Sequence, residues 1–312
     1  MGFEGDGMKV LVTGAGGFVG RELIGQLLDS GASVIAIDSV AAGIPAGAEV
    51  LAGDLADPAL RAAALAGRPD AVIHLATVPG GAAEANPAAS RRINIDAMYD
   101  LLLEAGAMGN RPRFVFASSI AVYGDPLPDH VDDATPLVPK MIYGGHKAMM
   151  EHAVAMFSER GLIDGVSVRL PGILARPAGD ITMKSAFMSN LFHALKAGRE
   201  FVCPVSAGAT MWVQSVTCCA GNFVRGLTLD AAVLPPTRAV LLPALRVTMA
   251  ELVAGIARNC GVSAGLVRYE PDAGLEQAFG RQPPLSTSAA DRAGFVHDGT
   301  LDKLVSRALA KL

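Results

Sequence analysis

Cysteine is scarce in this chain. Only Cys203, Cys218, Cys219 and Cys260 occur in 312 residues, with no Cys-x-x-Cys pair and no regular spacing. That excludes a disulfide-stapled mini-domain and suits reduced thiols in the cytoplasm. Basic charge is not in excess: 26 Lys plus Arg against 30 Asp plus Glu leave a net charge of −4, so nucleic acid is not an expected partner. A clean apolar run is missing as well. The longest uncharged stretch, residues 201–224, is interrupted by Pro204, Ser206, Gly208, Thr210, Gln214 and Asn222, which makes a membrane span unexpected. Near the N-terminus, Glu4 and Asp6 stand where an export signal needs positive charge, so a secreted protein is not expected either. No period of 20 to 50 residues repeats, which excludes solenoids and propellers. What the chain does have is apolar mass: 51% of residues are hydrophobic and 18% charged, enough for a large core and incompatible with disorder, collagen or a coiled coil.

From Met8 onward, short β-branched runs alternate with Ala/Leu-rich amphipathic stretches, the pattern of βαβ units in a parallel sheet. Strands are predicted near Lys9 to Thr13, Ser33 to Ile37, Glu49 to Ala52, Ala71 to Leu75, Arg113 to Ser118 and Gly165 to Arg169. Long helices are predicted over Glu84 to Ala107 and Tyr143 to Glu159. After Pro171 the texture changes: Pro177, Pro204, Pro235, Pro236, Pro243, Pro271, Pro283 and Pro284 break up shorter elements. The expected fold is α/β, a doubly wound parallel (Rossmann) sheet with a smaller mixed C-terminal lobe. Its expected divisions are a disordered leader at 1–7, a dinucleotide-binding domain at 8–170, and a substrate lobe at 171–312 with some segments returning to the sheet.

The first strand runs into Gly14-Ala15-Gly16-Gly17-Phe18-Val19-Gly20 and then a helix, the order a dinucleotide site requires. Gly14 permits the tight turn, Gly17 the close approach of a pyrophosphate, and Gly20 the packing of helix on strand, while the helix N-terminus favours phosphates. With 35 glycines, roughly 0.4 such motifs arise by chance, so the strand–turn–helix context carries the argument. Asp38, after the second strand, is placed to accept hydrogen bonds from the adenosine ribose hydroxyls and to repel a 2′-phosphate, which predicts NAD over NADP.

Tyr143 and Lys147 are four apart on a predicted helix and share a face, where an ammonium is expected to lower the phenol pKa and make Tyr143 a base. Chance supplies only about 0.09 such pairs in this composition, a sharper signal than the glycines. Ser119, at the carboxyl end of the fifth strand, lies where ligands of such sheets bind.

These residues together resemble the extended short-chain dehydrogenase/reductases, the NAD-dependent epimerase/dehydratase family, over Met8 to about Leu309. The likeness includes Gly53-Asp54-Leu55, Asp54 implied to reach the adenine, and His74-Leu75-Ala76, implied to line the cofactor. It also includes Asn94, matching a helix asparagine that supports the cofactor pocket, and Ser118 to Gly124, with Ser119 the catalytic serine. The implied catalytic set is Ser119, Tyr143 and Lys147. The cofactor set is Gly14, Gly17, Phe18, Val19, Gly20, Asp38, Asp54, Leu55, Leu75, Ala76, Asn94, Tyr143, Lys147, Pro171 and Ile173. Expected substrate contacts are Thr77, Ser119, Ile120, Tyr143, Arg176 and Trp212, the single tryptophan being readable as pocket wall or as core.

Within the family the chain is most similar to a D-erythronate dehydrogenase-like branch, through Pro126 to Asp129, Arg160 to Gly165, Arg169 to Ile173 and Cys203 to Val205. Two departures stand out: His146 where relatives commonly carry Ser or Gln, and Thr210 before Met211-Trp212 where an arginine is expected. The resemblance implies NAD-dependent oxidation of a secondary hydroxyl on a small sugar acid, by a homodimer pairing through the two long helices. A nucleotide-sugar epimerase or reductase, with Arg176, Lys184, Arg199 and Arg225 available for a diphosphate, and a non-catalytic NAD sensor are the alternatives.

Other reactive side chains read as structural. His74 lies in an apolar strand and suits a satisfied core position. His146 and His152 are poorly spaced for a shared metal, Asp129, His130, Asp132 and Asp133 suit a solvated turn, and Cys218-Cys219 suit packing. No metal is expected.

Overall fold

The computed structural model describes residue 5, residues 7–177 and residues 186–312. Most of the expected disordered leader, and Lys184, lie outside the described residues; within the leader, Gly5 donates its N–H to Ser30 O at 2.8 Å. The strands are β1 (Lys9–Thr13), β2 (Ser33–Asp38), β3 (Glu49–Ala52), β4 (Ala71–His74), β5 (Arg113–Ser119), β6 (Asp164–Leu170), β7 (Gly172–Leu174), β8 (Phe201–Cys203), β9 (Thr210–Ser215), β10 (Ala239–Leu241), β11 (Leu245–Thr248) and β12 (Val267–Tyr269).

Seven of them form a sheet in the order β10-β6-β5-β4-β1-β2-β3, parallel at every pairing. The fold is α/β, a Rossmann-like sheet accompanied by a smaller mixed C-terminal part. The strand order reverses between β1 and β4, and that switch point opens a crevice at the carboxyl ends of the strands. A three-stranded sheet, β11-β9-β7, and a two-stranded pair, β12-β8, complete the molecule.

Both faces of the large sheet are covered, as an all-parallel sheet requires. On one face, Leu23, Ile24 and Leu27 of the Phe18–Asp29 helix pack with Val216, Cys219, Ala220 and Phe223 of the Val216–Thr228 helix. On the other, Met98, Leu101 and Leu102 meet Met150, Val154 and Phe157 of the Ile142–Glu159 helix. The C-terminal part has its own core, with Leu191, Phe192, Met211, Val213, Leu252, Ile256, Leu304 and Val305 buried together. Strand β10 extends the large sheet from sequence that lies far beyond Pro171, pairing Ala239 with Ser167 on β6.

One helix differs from its expected form. Glu84 to Ala107 is not continuous: helices Gly80–Ala85 and Pro87–Arg91 are followed by a π-helical turn, Arg92–Ala97, and then Met98–Ala107. Pro87 has no N–H to continue the first helix, and Asn86 restarts the chain by accepting from Ala89 N–H at 3.0 Å. The wide turn rotates the following residues and buries Asn94.

Candidate active site

A cavity of about 1190 Å³ opens at the switch point and runs from the β2 edge to the C-terminal part. Its floor is the glycine turn. Gly14 has φ +71°, and a Cβ there would lie 2.6 Å from Ala76 N. A Cβ at Gly20 would lie 2.4 Å from Gly14 O, so helix and turn meet only without a side chain. Gly17 precedes the Phe18–Asp29 helix, whose first turn has no side-chain cap and keeps its N–H groups available for an anion.

Asp38 closes β2 at one end of the cavity. Its Oδ2 accepts from Gly16 N–H and its Oδ1 from Val40 N–H, both at 2.9 Å, fixing the carboxylate while each oxygen retains a lone pair for a ribose hydroxyl. Asp54 shares its neighbourhood with a cation the sequence reading had not assigned. Its Oδ1 accepts from Ala56 N–H and its Oδ2 from Arg92 Nη2 at 2.5 Å, and these bonds hold its carboxyl below the usual range. Phe18, Val19, Leu55, Leu75, Ala76, Pro171 and Ile173 line the same cavity.

Asn94 is placed differently from the other cofactor candidates. It is buried behind the wall and braces it: Oδ1 accepts from Val78 N–H at 2.7 Å and Thr77 Oγ1 at 3.1 Å, and Nδ2 donates to Val78 O and Ser90 Oγ. Ser90 in turn bonds His146 Nδ1 at 3.0 Å, so His146 joins the scaffold behind Thr77.

At the middle of the cavity Ser119 and Tyr143 line the wall together, with the serine side chain near enough to act on the phenol. Lys147, one turn along, is buried, and its Nζ donates to Ala117 O at 2.7 Å and lies 4.7 Å from the Phe116 ring centroid. The electrostatics correct one expectation. Burial pushes the Tyr143 phenol above its ordinary pKa, and what pulls against it is the Ser119 side chain followed by the Arg176 charge rather than Lys147. Burial also brings Lys147 down to about 7, with Glu151 acting in the opposite sense. His74 sits behind this group, bonded to Thr13 Oγ1 at 2.8 Å, and burial followed by the Lys147 charge pulls it to about 3, so it is a neutral scaffold residue at physiological pH.

Thr77, Ile120, Arg176 and Trp212 also line the cavity. Ser189 Oγ holds the Arg176 N–H at 3.0 Å, His193 Nε2 bonds its carbonyl at 2.8 Å, and its guanidinium lies over the Phe18 ring. Trp212 belongs to both readings: it is 1% exposed, its Nε1 donates to Pro283 O at 2.7 Å, it packs with Val122, Tyr123 and Leu241, and it is among the residues that line the cavity. Thr210, at the expected arginine position, ties strand to tail by donating from Oγ1 to Gln282 O at 2.8 Å.

Neither Arg199 nor Arg225 borders the cavity, and Arg225 Nε donates to Ala293 O. Asp132 and Asp133 are spent on backbone N–H groups of Ala134 and Ala289, and among the described residues no group of three or more His, Cys, Asp or Glu could hold a metal. Sequence reasoning missed Met188, Met211, Ala278, Phe279 and Gln282, which close the far wall. Gln282 Oε1 accepts from the Trp212 N–H, a pairing across 70 positions that no local pattern announces.

The sequence profile described as the NAD dependent epimerase/dehydratase family matches residues 10–212. The chain belongs to this family. Over 96% of its length it is 35% identical to a D-erythronate dehydrogenase of Cupriavidus necator, of which the match covers 97%. It is 28% identical to a D-erythronate dehydrogenase of Haemophilus influenzae, over 96% of this chain and 98% of that one. A crystal structure described as a nucleoside-diphosphate-sugar epimerase from Agrobacterium tumefaciens superposes with a TM-score of 0.87 at 31% identity, over 96% of this chain and 93% of the other. Among the described residues, no helix is long and apolar enough to cross a membrane.

Proposed function

We propose that this family member is an NAD-dependent dehydrogenase that oxidises a secondary hydroxyl of a small, D-erythronate-like sugar acid. The observation that carries the reading is that Ser119, Tyr143 and buried Lys147, one helical turn from Tyr143, line the same cavity as the glycine turn and Asp38. Tyr143 takes the hydroxyl proton, Ser119 holds the reacting oxygen, and Lys147 supplies a donor to the nicotinamide ribose. The nicotinamide ring, when bound, supplies the hydride acceptor. Because burial raises the Tyr143 pKa, oxidation is expected to quicken as pH rises from neutral toward alkaline values, where the base loses its proton.

Asp38 supports NAD over NADP, since a 2′-phosphate would face a fixed carboxylate. Arg176 supports a substrate carboxylate, a cation on the wall whose charge is felt at Tyr143. Exposed Tyr99 and Leu103 on one helix and Met149 and Met156 on another support a homodimer through those helices, for which a monomeric mass by light scattering is the contrary result. The free cysteines, three of them buried, support a reducing, cytoplasmic setting.

The decisive experiment is NADH formation with a panel of four- to six-carbon aldonates. Turnover on a short aldonate bears the reading out, and binding without turnover across the panel overturns it. The likeness to the Agrobacterium structure favours a nucleotide-sugar epimerase as second reading, and a UDP- or dTDP-sugar retained in native mass spectrometry would decide for it.

A further inference from the structure

Behind the catalytic wall lies a buried polar network that the reaction scheme leaves unused. Glu151 follows Lys147 by one turn on the Ile142–Glu159 helix and is 3% exposed. Its Oε1 accepts from Ser118 Oγ at 2.5 Å and from Arg169 Nε at 3.0 Å, and its Oε2 accepts from Arg169 Nη2 at 2.7 Å. Arg169, on β6 and 5% exposed, donates its remaining arm to Tyr123 Oη at 3.0 Å. The carboxylate is thus tied to three elements: its own helix, the end of β5 beside Ser119, and the neighbouring strand.

A buried ion pair of this kind is weak as a stabilising device, because desolvation cancels much of the attraction. Its placement has a clearer meaning. The groups that face Lys147 are Tyr143 and Glu151 from its own helix, the Ala117 carbonyl and Phe116 ring from β5, and His74 from β4, with Ser118 and Arg169 reached through Glu151. Of these, His74 is neutral and Glu151 is the carboxylate, so Glu151 supplies the negative charge that opposes the desolvation of the Lys147 ammonium.

We propose that Glu151 is a positioning residue for the catalytic group, holding a compensating charge beside Lys147 and, through Ser118, the strand end that presents Ser119 to Tyr143. Arg169 holds the Glu151 carboxylate in place through two arms of its guanidinium. Glu151 touches no reactant and acts through Lys147 and Ser119. Without its charge Lys147 becomes an amine at lower pH.

The test is the titration of Lys147 in the full chain without cofactor, read by NMR of the lysine side chains carrying 13C at Cε and assigned with Lys147→Met. Glu151→Gln is expected to lower the Lys147 midpoint by about one pH unit, a tenfold change in the ammonium-to-amine ratio, while Glu151→Asp, which keeps the charge, restores most of it. Removing one member of a buried pair can unfold a protein, so Glu151→Gln is also made with Arg169→Met, which removes both charges together. The double variant is expected to fold with the same downward midpoint. An unmoved Lys147 midpoint in folded variants, even with turnover lost, would overturn the proposal and leave the network a packing role.

Discussion

On the proposed cofactor side of the cavity, strand ends from one parallel sheet hold Gly14, Asp38 and Ser119, with Asp38 fixed by the Gly16 and Val40 N–H groups of the turns beside it. On the proposed substrate side, Arg176, Met188, Trp212, Phe279 and Gln282 come from four separate stretches held together by long-range ties such as Thr210 N–H to Gly280 O and Gln282 N–H to Thr210 O. The first wall is repeated backbone geometry suited to a ligand with a constant phosphate-ribose core. The second is a set of side chains on a scaffold whose core is separate, so its chemistry can vary while the sheet stays unchanged. The difference teaches that the two ends of the cavity are built separately, so that on the proposed reading cofactor use and substrate choice can each be attacked alone.

The hardest blow to that separation is aimed at the boundary. Tyr143→Phe removes the base, and kcat is expected to fall by about 10²- to 10⁴-fold while the NAD dissociation constant, by fluorescence titration, stays within about twofold. An equal loss of cofactor affinity would show that the two sides are not independent. Arg176→Ala acts on the substrate side: KM for an aldonate is expected to rise about 10- to 100-fold, the worth of a charge-assisted hydrogen bond, with NAD binding unchanged. The same loss for an uncharged polyol would remove the carboxylate from the argument. Asp38→Ala acts on the cofactor side and is expected to cost NAD about tenfold in kcat/KM while improving NADP relative to it, with the aldonate preference intact. An unchanged cofactor preference removes Asp38 from the ribose site.

The smallest effect concerns stability rather than turnover. Lys147 titrates near 7 when folded and near 10.5 when unfolded, so between those values the unfolded chain binds more protons and stability rises with pH. Below about 7 the full cost of burying the ammonium is present. Lys147→Met is therefore expected to abolish turnover yet raise the thermal midpoint at pH 6 by a few degrees, a gain that shrinks as pH approaches 10. A midpoint that falls at pH 6 would show that the bond to Ala117 O outweighs the desolvation.

Much of the cofactor wall was readable before any coordinates. Six strands and their order of use follow from β-branched runs between amphipathic stretches, with boundaries off by one residue at most: Asp38 and Ser119 fall inside β2 and β5 rather than just after them. The glycines and the Tyr143/Lys147 spacing were legible because turn geometry and helical period are local. The broken helix at Asn86-Pro87 was signalled by its proline but masked by apolar periodicity on both sides, and it is the break and the π turn that bury Asn94 against Thr77. The raised phenol pKa and lowered ammonium pKa were not legible, since spacing gives proximity and says nothing of burial.

By itself, then, the sequence determined the parallel sheet, the glycine turn, an acid closing the second strand and the placing of Tyr143 one helical turn from Lys147, each a consequence of neighbours within about two turns or one βα unit. Tertiary structure alone decided which residues beyond Pro171 reach the cavity, that Trp212 is both core and wall, and that Glu151, Arg169 and Ser118 stand behind the catalytic lysine. The physical reason is that desolvation and buried charge depend on everything packed around a group, and that packing brings together positions far apart along the chain.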